Sequence, residues 1–197
     1  MLRKKIQPVI LSLCFFAAVL LQLNCANNEK KEMPKDDMIR RGAYLVNVGG
    51  CKHCHSPRIM TTMGLVPDTT KLLSGHMGNE VLPSVDANLI QQGKWFLLAG
   101  STRTFWAGPW GVSFAANITP DEPTGIGTWT DEIFIKALRT GKHMGIGRPI
   151  LPPMPWEDIN QATDEDLKAI FTYLKSIPSV HNQVPDPVPP EKLSTLK

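Results

Sequence analysis

Polar and apolar positions divide the chain into stretches of different character. Residues 1–25, MLRKKIQPVILSLCFFAAVLLQLNC, start with Arg3, Lys4 and Lys5 and continue as an apolar run from Pro8 to Leu23. The next stretch, ANNEKKEMPKDD, has too few apolar positions to build a core and reads as a tether. From Asp37 to Gly49, Met38, Ala43 with Tyr44 and Leu45, and Val48 recur at three- to four-residue steps, which predicts a short amphipathic helix ended by Gly49-Gly50. Residues 56–127 are rich in Gly, Pro, Thr and Asn and lack long periodic runs; Trp95–Ala99 and Val112–Ala116 are candidate hairpin strands on either side of the segment Trp106–Trp110. A structureless stretch of that length is unusual unless a large prosthetic group supplies the core it wraps.

Two firmer helices follow. TWTDEIFIKALRTGKH offers a Thr-x-x-Asp start at Thr128 to Asp131 and a stop at Gly141. ATDEDLKAIFTYLKSIP repeats the device with Thr163 and Asp166 and stops before Pro178. The acidic clusters Asp131/Glu132 and Asp164/Glu165/Asp166 fall in first helical turns, where carboxylates serve caps and the helix dipole better than catalysis. The closing QVPDPVPP predicts an extended segment along the surface.

Composition alters this picture little. With 197 residues, 42% of them hydrophobic and 20% charged, the chain suits one globular domain. The formal charge is +3 from 21 basic and 18 acidic residues, and three of the cations lie ahead of the apolar run. Without them the balance is 18 to 18, which gives no reason to expect a nucleic-acid partner. A cationic start, an apolar run and a cysteine together form an export leader. The end of the run, LQLNC followed by Ala26, is similar to a bacterial lipobox, so Cys25 is the candidate lipidation site, with an uncleaved apolar anchor as the alternative.

Candidate chemistry concentrates in Cys51-Lys52-His53-Cys54-His55. Cys14 lies inside the leader and Cys25 at its end, so Cys51 and Cys54 are the thiols left to the domain. A structural zinc site takes four Cys or His ligands, and no second cysteine pair is present. A thiol oxidoreductase needs its pair at a strand-to-helix turn, whereas this pair follows a helix. Cys-x-x-Cys-His is also the signature of covalent c-type haem attachment, with His55 presenting its imidazole to the iron, and export suits it. Candidates for a sixth ligand are Met60, Met63, Met77, Met144, Met154, His76 and His143. Met154 is favoured, because Pro152, Pro153 and Pro155 stiffen its loop, with glycine-flanked Met144, a histidine or an open position as the alternatives. Trp106, Trp110 and Trp156 are candidates for a haem crevice and Arg148 for a propionate partner, each against ordinary packing or a solvated side chain.

Taken together, RRGAYLVNVGGCKHCHSP, FAANITPDEPTGIGTWTDEIFIKALRTG, PPMPW and DEDLKAIFTYLKSIP resemble the class I c-type cytochromes. More narrowly, they are similar to the single-haem domains in cytochrome subunits of membrane-bound alcohol dehydrogenases, over roughly Arg40 to Pro178. The resemblance implies an all-α, cytochrome c-like fold, here with a long loop insertion holding a short β-hairpin. It further implies that the first and last helices cross, Gly42 and Tyr44 meeting Phe171 and Tyr173, and that the segment Asn117-Ile118-Thr119-Pro120 packs beside the haem rim. The expected organisation is a signal peptide over 1–24, a lipid-anchored tether over 25–36, the cytochrome domain over 37–182 and a proline-rich tail over 183–197. Related subunits carry several haem domains, whereas this sequence has one Cys-x-x-Cys-His. The expected function is a membrane-tethered periplasmic carrier of one electron between redox partner proteins, and not an enzyme. Its cofactor is one covalent haem c with iron. The alternatives are a haem subunit of an oxidoreductase complex, or a haem sensor or enzyme with an open sixth position.

Overall fold

The computed structural model describes residues 32–91 and 95–195. Six α-helices and five short strands alternate along them: α1 (Lys35–Val48), α2 (Cys51–His55), β1 (Arg58–Thr61), β2 (Gly64–Pro67), α3 (Ala87–Gln91), β3 (Leu98–Ala99), β4 (Phe105–Gly108), β5 (Gly111–Phe114), α4 (Asp131–Thr140), α5 (Trp156–Ile159) and α6 (Asp164–Ser176). The leader and Cys25 fall outside the described residues. Among those described, no helix is long and apolar enough to cross a membrane.

The expected crossing of first and last helices is present, and its closeness depends on a glycine. A Cβ at Gly42 of α1 would stand 2.0 Å from the Ala169 carbonyl oxygen and 2.7 Å from Tyr173 Cβ, so the backbones meet where no side chain fits. Tyr44, by contrast, is 56% exposed and carries the Arg41 guanidinium over its ring. Arg41 also makes a forked pair to Asp166 of α6, at 2.9 and 3.1 Å. Beneath the crossing, Val46, Phe134, Leu138, Leu167, Phe171 and Leu174 form a buried apolar cluster with Leu73 and Ile126.

Helix α6 is capped as expected, Thr163 accepting from Asp166 N. Helix α4 starts two residues later than its Thr-x-x-Asp pattern suggests. Trp129 N donates to Ile126 O, which keeps 126–129 in a turn, and Thr130 accepts from Ile133 N as the N-cap. Its stop at Gly141, in the left-handed region, is where the sequence puts it.

An all-α class does not survive: residues 58–114 hold two antiparallel sheets, β1-β2 and β3-β4-β5. The segment Trp106–Trp110, expected to lie between strands, is itself strand and turn. Phe105 pairs with Phe114 and Gly108 with Gly111 across a two-residue connection, and Leu98–Ala99 adds an outer strand. Gly111 carries φ 97°, and a Cβ there would meet Val188 O at 1.9 Å, so conformation and proximity both demand glycine. Val188 exchanges two backbone hydrogen bonds with Val112. The chain beyond it returns Leu193 to a second buried cluster with Ile90, Phe105, Ala107 and Val112 on one face of this sheet.

His76 sits fully buried beside that cluster, stacked on Phe114 and edge-on to Phe105. Its Nδ1 lies 3.0 Å from Thr104 Oγ1, Glu80 is 3.6 Å away, and Nε2 has no hydrogen-bond partner. Burial pushes its pKa down from 6.5 to about 4.

Two outcomes follow from this packing. Gly42→Ala should destabilise the protein by about 1–3 kcal/mol in urea unfolding, because the added methyl has no room; an unchanged midpoint would contradict the crossing. For His76, the unfolded chain takes up a proton near the ordinary histidine pKa and the folded chain does so only lower. Stability from neutral His76 is therefore complete above about pH 6.5 and lost as pH falls toward 4. Glu80, whose pKa burial raises, acts oppositely, so the comparison is with a variant: His76→Gln should flatten the decline over that window in urea titrations.

Candidate haem-attachment site

The site grows from the junction of two helices. Helix α1 closes with Gly49 N donating to Leu45 O, and Gly50, at φ 68°, turns the chain directly into α2. On one helical turn Cys51, Cys54 and His55 stand at i, i+3 and i+4, so their side chains share a face. Both thiols are free and half-buried. Burial pushes each pKa up; for Cys54 the nearby Arg58 and Arg103 guanidiniums pull the other way. Lys52 and His53 fill the two x positions, and His53 is exposed, its ring nitrogens 3.3 Å from Arg58 and 3.0 Å from Arg103.

His55 is 8% exposed and 2.8 Å from the Ala116 carbonyl oxygen through Nδ1. A carbonyl only accepts, so Nδ1 carries the proton and Nε2 holds the lone pair. Burial lowers the pKa of the ring, with the Ala116 bond opposing, which favours the neutral imidazole that a metal requires. The neighbouring backbone is tied just as firmly: Gly75 N donates to His55 O at 2.8 Å, and Leu73 N to Ser56 Oγ at 3.0 Å.

Met154 lies in the loop between α4 and α5. Its N–H donates to Leu151 O, and its carbonyl accepts from Trp156 N at 2.9 Å. The half-buried side chain packs against the first apolar cluster, which Cys51 and Ile118 also touch. Of the other candidates for the sixth position, Met77 is half-buried too, and the rest are placed differently. Met60, Met63 and Met144 are 76%, 91% and 41% exposed, His76 is engaged beside the second cluster, and His143 lies exposed, edge-on to Trp129. Trp106 is buried, Trp110 and Trp156 are half-buried, and Arg148 is exposed and bonded to Pro149 O.

These donors fit a covalent haem: two free thiols a turn apart, a buried imidazole whose Nε2 is the basic nitrogen, and a thioether on a proline-stiffened loop. Among the described residues no three His, Cys, Asp and Glu side chains converge as a metal cage requires.

Two asparagines hold the surroundings: Asn117, in the segment expected beside a haem rim, and Asn182, which sequence reasoning passed over. Asn117, 4% exposed, donates to Val180 O and accepts from Thr119 N and Oγ1. Asn182, 5% exposed, donates to Ser74 O at 2.7 Å and His76 O at 2.8 Å and accepts from Gly78 N. A lone Asn after the last helix carries no local signal of such a role, since its partners lie more than 100 residues upstream.

No family model matches the chain. Several curated proteins are similar to it. The fructose dehydrogenase cytochrome subunit of Gluconobacter japonicus is 39% identical over 85 residues, 40% of this chain and 17% of that protein. The gluconate 2-dehydrogenase cytochrome c subunit of Pantoea cypripedii is 29% identical over 142 residues, 72% of this chain and 24% of that protein. The alcohol dehydrogenase (quinone) cytochrome c subunit of Gluconobacter oxydans is 35% identical over 82 residues, 40% of this chain and 17% of that protein. The chain thus spans under a quarter of the length of these relatives. Through its Cys-x-x-Cys-His turn and these matches, the chain is similar to the cytochrome c subunits of dehydrogenases.

Proposed function

We propose that the chain carries one electron at a time between redox proteins, using one covalent haem c, and that it is an electron carrier rather than a catalytic subunit. The observation that carries the reading is the Nδ1 bond from His55 to Ala116 O inside the Cys-x-x-Cys-His turn. It sets the tautomer, orients the ring and leaves Nε2 for iron. When bound, the haem supplies a one-electron iron couple. Cys51 and Cys54 would hold it by two thioether links, and His55 and Met154 would supply the nitrogen and sulfur ligands to its iron, leaving no position open to a substrate. Ligation by His and Met raises the reduction potential relative to two histidines. The names of the relatives favour one further reading, a haem subunit of a dehydrogenase complex, because each of them is described as such a subunit.

Export and anchoring belong to the same proposal. The leader and Cys25 suit a lipid anchor on the periplasmic side of a bacterial membrane, with residues 26–36 as the tether that keeps the domain near its partners.

Three outcomes test this function. On denaturing gels stained for haem, wild-type protein matured in cells should keep its stain, while the double variant Cys51→Ser/Cys54→Ser should lose it. Met154→Ala should lower the midpoint potential in spectroelectrochemistry; an unchanged potential would mean that Met154 is not a ligand. Cys25→Ser should move the protein from the detergent phase to the aqueous phase in Triton X-114 partition, and continued detergent partition would contradict the lipid anchor.

A further inference from the structure

The sheet of β3, β4 and β5 uses its two faces differently. Phe105, Ala107 and Val112 belong to the second apolar cluster, while the alternate cross-strand pair Trp106 and Ser113 projects from the opposite face. Ser113 is 5% exposed and Trp106 is 7% exposed. From that face Ser113 Oγ donates to Pro152 O at 2.5 Å and accepts from Trp110 Nε1 at 3.2 Å. A hydroxyl has one proton, and an indole nitrogen only donates. The direction is therefore fixed: indole to hydroxyl, hydroxyl to carbonyl. The indole is itself held in place. A Cβ built on Gly108 would lie 2.4 Å from Trp110 Cη2, so the ring covers the hairpin where glycine leaves room.

Pro152 precedes Met154 by two residues. Prolines at 149, 152, 153 and 155 stiffen the loop and also remove four N–H donors, leaving it few ways to fasten itself. Ile150 N fastens one end to Gly141 O at 2.8 Å. At the other end Ile159 N donates to Pro155 O, so the Pro152 carbonyl between them is where Ser113 ties the segment to the sheet. We infer that Ser113, oriented by Trp110, is a positioning residue for the sixth iron ligand: it clamps the Pro152 carbonyl and holds the Met154 thioether in place. The inserted sheet thus takes part in the haem site, from 39 residues upstream in sequence.

The inference rests on Met154 ligation, and its test separates the two. Oxidised holoprotein is prepared as wild type, Ser113→Ala, Ser113→Thr, Trp110→Phe and Met154→Ala. The red sulfur-to-iron band and the affinity for added imidazole, which competes with Met154, are measured for each. Loss of a buried hydrogen bond predicts that Ser113→Ala weakens the band and binds imidazole about tenfold more tightly. Ser113→Thr, which keeps the hydroxyl, should restore wild-type values, and Trp110→Phe should give a smaller change in the same direction, also where Ser113→Ala fails to accumulate. A band present in wild type, lost in Met154→Ala and unaltered in both Ser113→Ala and Trp110→Phe, with imidazole affinity unchanged, overturns the inference alone. A wild-type protein without the band overturns Met154 ligation and the clamp together.

Discussion

One hydrogen bond, from His55 Nδ1 to the Ala116 carbonyl, sets the terms for the rest of the structure. It joins the thiol-bearing turn to the chain that leaves the inserted sheet, 61 residues later, so the two cannot be positioned independently. It also decides the chemistry, because an imidazole that has used its proton on a carbonyl has only a lone pair to offer on its other nitrogen. The intervening chain is packed to keep that acceptor still. His76 N donates to Ala115 O, Ile118 N to Leu73 O, and Gly75 N back to His55 O, so residues 73–76 lie between the turn and its acceptor segment. Asn182 then fastens the carbonyls of Ser74 and His76 from the far end of the domain.

The domain carries two apolar clusters with different duties. Helices α1, α4 and α6 build the first, against which Cys51 and Met154 both rest. The inserted sheet and the returning C-terminal segment build the second, which stabilises the insert. Buried polar ties at Asn117, Asn182 and Ser113 accompany them, and a buried bond costs more to lose than an exposed ion pair gains. The Arg41–Asp166 fork across the helix crossing is an exposed pair of the second kind; the close approach at Gly42 depends on backbone contact instead.

Features written in neighbouring residues were legible in the sequence. Cys51, Cys54 and His55 form a contiguous motif, and α1, α4 and α6 announce themselves by apolar spacing, capping threonines and a terminal glycine. The two sheets were not legible as such. Strands of two to four residues are too short for alternation to register, and their turns lie in a Gly- and Pro-rich stretch that reads equally as loop. Thr128 lost its capping role to Thr130 because a backbone turn at Ile126–Trp129 delays the helix, and a Thr-x-x-Asp pattern does not record that. Asn182 and Ser113 act through partners far along the chain, as Asn117 does through Val180, where the residue type alone is silent.

Ligation by both His55 and Met154, as proposed, would leave the iron of a covalent haem no open position. Its most direct test is the visible spectrum of the purified protein, matured with haem, recorded oxidised, reduced, and reduced under carbon monoxide. The prediction is a low-spin c-type spectrum whose reduced form does not shift with carbon monoxide at neutral pH. A high-spin spectrum that shifts at once with the gas would contradict it, leaving the iron open on one side and the chain unsuited to simple electron carriage.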